Sequence, residues 1–121
     1  MPKIEVLLYA EEDGVCPLTV WLDGLPTKVQ DKCIVRIEHL SEKGHELRRP
    51  EADYLRDKIY ELRAAYQRIQ YRMLYFFYEK QCIITHGFIK EGNEVPQKEI
   101  DLAVTRKAQF KEDPMNHTYR R

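Results

Sequence analysis

The sequence predicts a small α+β domain, a mainly antiparallel sheet with N-terminal helices and a C-terminal helix in the order β-α-α-β-β-β-α. Between Lys58 and Lys90 three β-branched and aromatic segments, KIYELRAA, QRIQYRMLYFFYE and QCIITHGFIK, are separated by very short breaks. Short breaks force antiparallel neighbours, because a parallel crossover needs about a dozen residues. On either side, apolar residues recur at helical spacing: Val29, Cys33, Ile37 and Leu40 upstream, Ile100, Ala103, Val104 and Ala108 downstream. The length, 121 residues, suits one domain that buries enough surface to fold without a disulfide or a metal.

Residues 4–10 (IEVLLYA) read as an opening strand, closed by the turn Glu11-Glu12-Asp13-Gly14. Pro17 to Leu22 suits a short helix, with proline at its first position and Gly24 as its stop. Pro26 begins a longer helix to about Lys43, with Gly44 as a left-handed cap. Residues 45–57 (HELRRPEADYLRD) lack clean periodicity, contain Pro50 and read as loop. Pro96 opens a last helix through about Glu112, with Glu99 and Asp101 early and Arg106, Lys107 and Lys111 late, as the helix dipole favours. The domain is thus expected over residues 1–112, with 113–121 as a flexible tail.

Twenty basic and twenty acidic residues give a formal charge of zero. That excludes a non-specific nucleic-acid coat, which needs a cationic surplus, and leaves room for a local basic patch. Cys16, Cys33 and Cys82 are widely spaced without a C-x-x-C pair, so they read as buried thiols of a reducing compartment. His39, His45, His86 and His117 lack ligand spacing, and there is no H-E-x-x-H, Gly-rich phosphate loop or G-x-S-x-G. No metal or cofactor is therefore expected. From Met1-Pro2-Lys3-Ile4 onward no apolar run approaches the ~18 residues of a membrane span, so a soluble, cytoplasmic domain without a membrane partner is expected.

Cations inside strands stand out. Arg63 follows Glu61-Leu62; Arg68, Gln70 and Arg72 lie on one strand face, opposite Ile69, Tyr71, Met73, Tyr75 and Phe77; Lys90 lies two residues after Phe88 and four after His86. One reading is the wet face of a half-solvated sheet. The other is a concave basic surface interleaved with Tyr60, Tyr71, Tyr75 and Phe88, suited to RNA phosphates and splayed bases. Register decides which residues share a face. A three-residue loop (Glu79-Lys80-Gln81) would put Arg72, His86 and Lys90 together; a two- or four-residue loop would part them unless a bulge, for which Gly87 is a plausible place, intervenes.

The ordered runs Y-E-L-R-A, Q-Y-R-M-L-Y-F-F, I-T-H-G-F-I-K and E-V-P-Q-K-E-I-D-L-A resemble the RelE/ParE toxin superfamily, closest to its HigB-type, phage-derived branch, over roughly residues 3–112. The resemblance implies a RelE-like fold and the toxin of a type II toxin–antitoxin pair. Its partners would be a cognate helix-turn-helix antitoxin, mRNA and the ribosome, in whose A site it would cut mRNA as a metal-independent endoribonuclease. In that chemistry the ribose 2′-OH attacks the adjacent phosphorus in line, leaving a 2′,3′-cyclic phosphate and a 5′-OH. The reaction needs a base, cations for the phosphorane charge and a proton for the leaving oxygen. The resemblance assigns Arg72 to the scissile phosphate, Lys90 to the same charge and Arg63 to RNA positioning; Arg68 and His45 read as further RNA contacts. Pro96 stands where the best-described ribonuclease branch has a tyrosine, so proton transfer falls to another group: His86 or His45, or His117 or Tyr119 of the tail. The alternatives are a ParE-like DNA gyrase inhibitor and a non-catalytic antitoxin-binding protein, since one fold hosts several functions.

Overall fold

Two-residue turns without glycine shape the sheet. Asp57 and Lys58 (φ 53° and 66°) join β2 (Ala52–Arg56) to β3 (Ile59–Tyr66), and Gln67 and Arg68 (φ 51° and 69°) join β3 to β4 (Ile69–Tyr78). Paired left-handed residues match the twist of a tight hairpin. Glu79-Lys80 then leads from β4 into β5 (Gln81–Lys90). With β1 (Glu5–Leu8) the strands lie in the order β1-β5-β4-β3-β2; β1 runs parallel to β5 and every other pair is antiparallel. The computed structural model describes residues 3–120.

Strand alternation divides the core in two. Leu62, Ala64, Tyr71, Met73, Tyr75, Cys82 and Ile84 point towards α1 (Pro17–Asp23) and α2 (Thr27–Lys43), meeting Leu18, Val29, Cys33 and Leu40. Ile59, Leu74, Phe76 and Ile83 point the other way, onto Ile100, Ala103 and Phe110 of α3 (Gln97–Glu112). A fully buried side chain of this size contributes roughly 1.5–3 kcal/mol, so these two layers hold the helices on the sheet. The class and the antiparallel character agree with the expectation and with a RelE-like fold.

Three details differ from the sequence reading. The segment 45–57 is not all loop: it holds the edge strand β2, whose turn lacks the usual glycine signal. The buried stripe of α3 ends on Phe110, while Ala108 is exposed, because the spacing 100, 103, 110 follows the helix face more closely. Residues 113–120 are fastened rather than frayed. Ala10 N–H donates to His117 O (2.9 Å), Tyr119 N–H to Leu8 O (2.8 Å), and the buried His117 ring stacks on Tyr9. The tail thereby pairs part of an edge that β1 would leave open. Met1, Pro2 and Arg121 lie outside the described residues. Cys16, Cys33 and Cys82 are buried free thiols, and burial pushes Cys33 up to about 11. Among the described residues no helix is long and apolar enough to cross a membrane.

Candidate functional site

A single extra residue assembles the site. The turn pairs Tyr78 with Gln81, a register that would place Arg72 opposite Gly87 and send Phe88 and Lys90 to the other face. After the pair Tyr75–Ile84 the register shifts to Leu74–His86, leaving Thr85 as the unpaired residue of a bulge. Arg72 therefore faces Phe88, Gln70 faces Lys90, and on the other side Arg63 faces Arg72. The bulge is at Thr85, not Gly87. Gly87 serves packing instead: a Cβ there would lie 2.2 Å from Trp21 Cε3 of α1.

Arg63, Arg72 and Lys90 line one open cleft of about 500 Å³ between the sheet and the segment that enters α3. Arg72 is 5% exposed, and burial lowers its pKa from the ordinary arginine value against the opposing attraction of Glu61. Its Nε donates to Glu61 Oε1 (2.8 Å), and its Nη1 to Gln70 Oε1 (3.3 Å) and Tyr71 O (3.2 Å). Arg63 Nη2 and Nε both donate to Glu61 Oε2 (2.9 and 3.2 Å). Asp53 lies 3.5 Å from Arg63 Nη2 and accepts from Arg49 Nε at 2.8 Å, a bond that holds the Asp53 carboxyl below its ordinary range. The result is an alternating chain Arg72–Glu61–Arg63–Asp53–Arg49, joined by charge-assisted hydrogen bonds except at Arg63–Asp53, which is a longer ion pair.

This chain holds the guanidiniums without consuming them. Arg72 Nη2 has no protein partner among the described residues, and no buried side-chain nitrogen there is unpaired, so Nη2 is open to the cleft. Arg63 likewise keeps Nη1 free. Lys90 Nζ, at the rim, donates to Gly92 O (2.8 Å). Two fixed forks and an ammonium at the edge of the cleft are suited to a phosphate.

The remaining sequence candidates lie elsewhere. His86 is buried and does not line the cleft; Thr85 Oγ1 lies 2.9 Å from its Nδ1 and Glu99 Oε1 lies 3.1 Å from its Nε2. Its pKa is lowered, first by burial and then by Arg106, with Glu99 acting in the opposite sense. His45 is on the other side of the sheet, its ring stacked on Phe77 (3.7 Å between centroids). Arg68 is exposed in the β3–β4 turn, outside the cleft. His117 and Tyr119 sit beside β1, at the far edge of the sheet from β2. The aromatic interleaving is overturned as well: Tyr60, Tyr71 and Tyr75 pack beneath α1 and α2, and Phe88, which shares the cationic face, is only 8% exposed.

Sequence reasoning missed Glu61, Asp53 and Arg49. Glu61 was within reach, since it stands two residues from Arg63 and therefore on the same strand face. Asp53 was not, because its strand went unrecognised. A family model described as "Phage derived protein Gp49-like (DUF891)" matches residues 20–108, a span that includes β2 to β5 and most of α3. No curated protein matches the chain.

Proposed function

Because the chain belongs to the phage-derived Gp49-like family, we propose that it is the toxin of a type II toxin–antitoxin pair, a RelE-like endoribonuclease that cuts mRNA in the ribosomal A site without a metal. The supporting observation is the convergence of Arg63, Arg72 and Lys90 on one cleft, with guanidinium edges left open by the carboxylate that holds them. Arg72 and Arg63 bind the non-bridging oxygens of the scissile phosphate, and their attraction grows as the 2′-oxygen adds and charge accumulates. A preorganised donor of this kind contributes on the order of a hundredfold or more in rate. Lys90, on releasing Gly92 O, gives a proton to the leaving 5′-oxygen as the P–O5′ bond breaks, and the 2′-OH proton passes to solvent water. His86 is not used, since its nitrogens are engaged beneath α3. A helix-turn-helix antitoxin neutralises the protein by covering the cleft.

The deciding experiment is induced expression followed by mapping of mRNA 5′ ends. The expected ends are 5′-OH, resistant to ligation until phosphorylated, with a cyclic or 3′-phosphate on the upstream fragment. Ends that carry 5′-phosphate would overturn the 2′-OH mechanism. Intact mRNA with disturbed DNA supercoiling would replace this function by gyrase inhibition.

A further inference from the structure

The cleft has a second wall that phosphate binding leaves unused. The segment entering α3 contributes Asn93, Glu94 and Val95, and the first turn of α3 contributes Gln97 and Ile100, with Leu55 of β2 beside them. Glu94 is exposed and makes no ion pair among the described residues, although Lys90 lines the same cleft and gives its ammonium to Gly92 O. A free carboxylate in a phosphate-binding cleft repels the backbone of a nucleic acid, so a ligand that settles there has to bring N–H donors to it.

Gln97 is set the opposite way. Its Oε1 accepts from Arg56 Nε (2.9 Å), and the other nitrogens of that guanidinium are held by Asp57 and Asp101, each at 2.6 Å. The acceptor end of the Gln97 amide is thus engaged, and its NH₂ group is what remains for a ligand. The wall offers two acceptor oxygens at Glu94, donors at Gln97 and apolar surface at Leu55, Val95 and Ile100.

Taking the cleft as an RNA-cleaving site, we infer that Glu94 and Gln97 read a guanine base next to the scissile phosphate. Guanine alone presents two parallel donors, N1–H and N2–H, beside an acceptor, O6. The parallel donors satisfy both oxygens of Glu94, and O6 takes the Gln97 amide. Adenine and cytosine bring one amino donor beside a ring nitrogen lone pair, which would face the second Glu94 oxygen. Uracil brings one N–H between two carbonyls. Each of these leaves like charge or lone pairs in contact.

The test titrates the full-length protein with guanosine, inosine and adenosine 3′-monophosphates and separately maps cleavage sites. Guanosine 3′-monophosphate should bind about tenfold more tightly than the inosine form, which lacks N2, as expected for one lost hydrogen bond to a charged group. Glu94→Gln should erase that preference while adenosine 3′-monophosphate binds as well as before or better, because the repulsion is relieved. A merely structural role would weaken all three alike. In cells the wild type should cut beside guanine, and Glu94→Gln should cut without that bias. Equal binding of the three nucleotides by the wild type, or an unchanged guanine bias in Glu94→Gln, would overturn the inference. Guanine-selective binding without RNA cleavage would overturn the nuclease function and leave the base-reading wall standing; cleavage without guanine bias would do the reverse.

Discussion

Arg72, which the proposed reaction sets on the scissile phosphate, also joins a buried ion pair with Glu61. From the sequence, Arg72→Ala would abolish toxicity and spare the fold; its buried bond to Glu61 changes that expectation. Removing Arg72 leaves Glu61 Oε1 without a donor where Glu61 is 3% exposed; Arg63 still compensates the charge through Oε2, so the cost is that of a buried hydrogen bond to a charged group, about 1.5–3 kcal/mol. Arg72→Ala is therefore expected to melt at markedly lower temperature, so its lost toxicity would say little about catalysis. Arg72→Lys is the cleaner variant. It keeps a cation beside Glu61 but cannot reproduce a fork that holds the carboxylate with one edge and the phosphate with another. We expect a melting temperature near that of the wild type and a cleavage rate lower by roughly a hundredfold, about 3 kcal/mol in barrier. Wild-type cleavage by a well-folded Arg72→Lys protein would remove the guanidinium from the phosphate contact.

At the scale of elements, β5 is where the architecture is decided, because it carries the bulge, the α1 contact and the buried histidine. Gly87→Ala would drive a methyl group into the Trp21 ring, whose Cε3 and Cζ3 lie 2.2 and 2.3 Å from that position. Overpacking of this kind costs typically about 1–3 kcal/mol, so a lowered denaturation midpoint is expected; an unchanged midpoint would mean that α1 shifts freely on the sheet. His86 links β5 to α3 through Glu99. Burial depresses its folded pKa below the ordinary 6.5, so the unfolded chain takes up a proton first as the pH falls. Stability from this group is complete above about pH 6.5 and declines as the pH falls towards the folded value. Denaturation midpoints should show that acid limb in the wild type and a shallower one in His86→Gln; equal limbs would assign it to other groups. The helices and the β3–β5 meander were legible because proline, glycine and apolar spacing mark them. β2 was not, since Asp57-Lys58 adopts both left-handed positions without glycine. The shared face of Arg72 and Lys90 hung on one unpaired residue, and nothing in the sequence distinguishes Thr85 from Gly87 as its place. Strand alternation put Tyr71 and Tyr75 opposite Arg72, but which face the helices α1 and α2 would cover is a property of packing.

For the whole molecule, the proposed function raises the question of how a chain of zero formal charge would bind a polyanion. Its field does not draw RNA in from afar, so affinity has to come from cations that meet phosphates at short range. Within the cleft, Glu61 and Asp53 already offset part of the charge of Arg63, Arg72 and Arg49, and Asp57 and Asp101 occupy Arg56. Three cations, Arg63, Arg72 and Lys90, remain with donors directed to or free to enter the cleft. In the proposed reaction all three meet the one scissile phosphate, and each phosphate neutralised on a single strand contributes about −0.7 to the slope of log K against log salt, which predicts a slope of about −0.7. The measurement is a titration of a short single-stranded RNA, with a non-cleavable 2′-O-methyl group at the cut site, over a range of potassium chloride concentrations. Arg63→Gln should weaken binding at every salt concentration and leave the slope almost unchanged, because Arg72 and Lys90 still meet that phosphate. A slope steeper than about −2 would require at least three neutralised phosphates, more than the scissile position supplies. The binding surface would then extend over the exposed cations of α2 and the β3–β4 turn, Lys28, Lys32 and Arg68, and the site would have to be redrawn around both faces of the sheet.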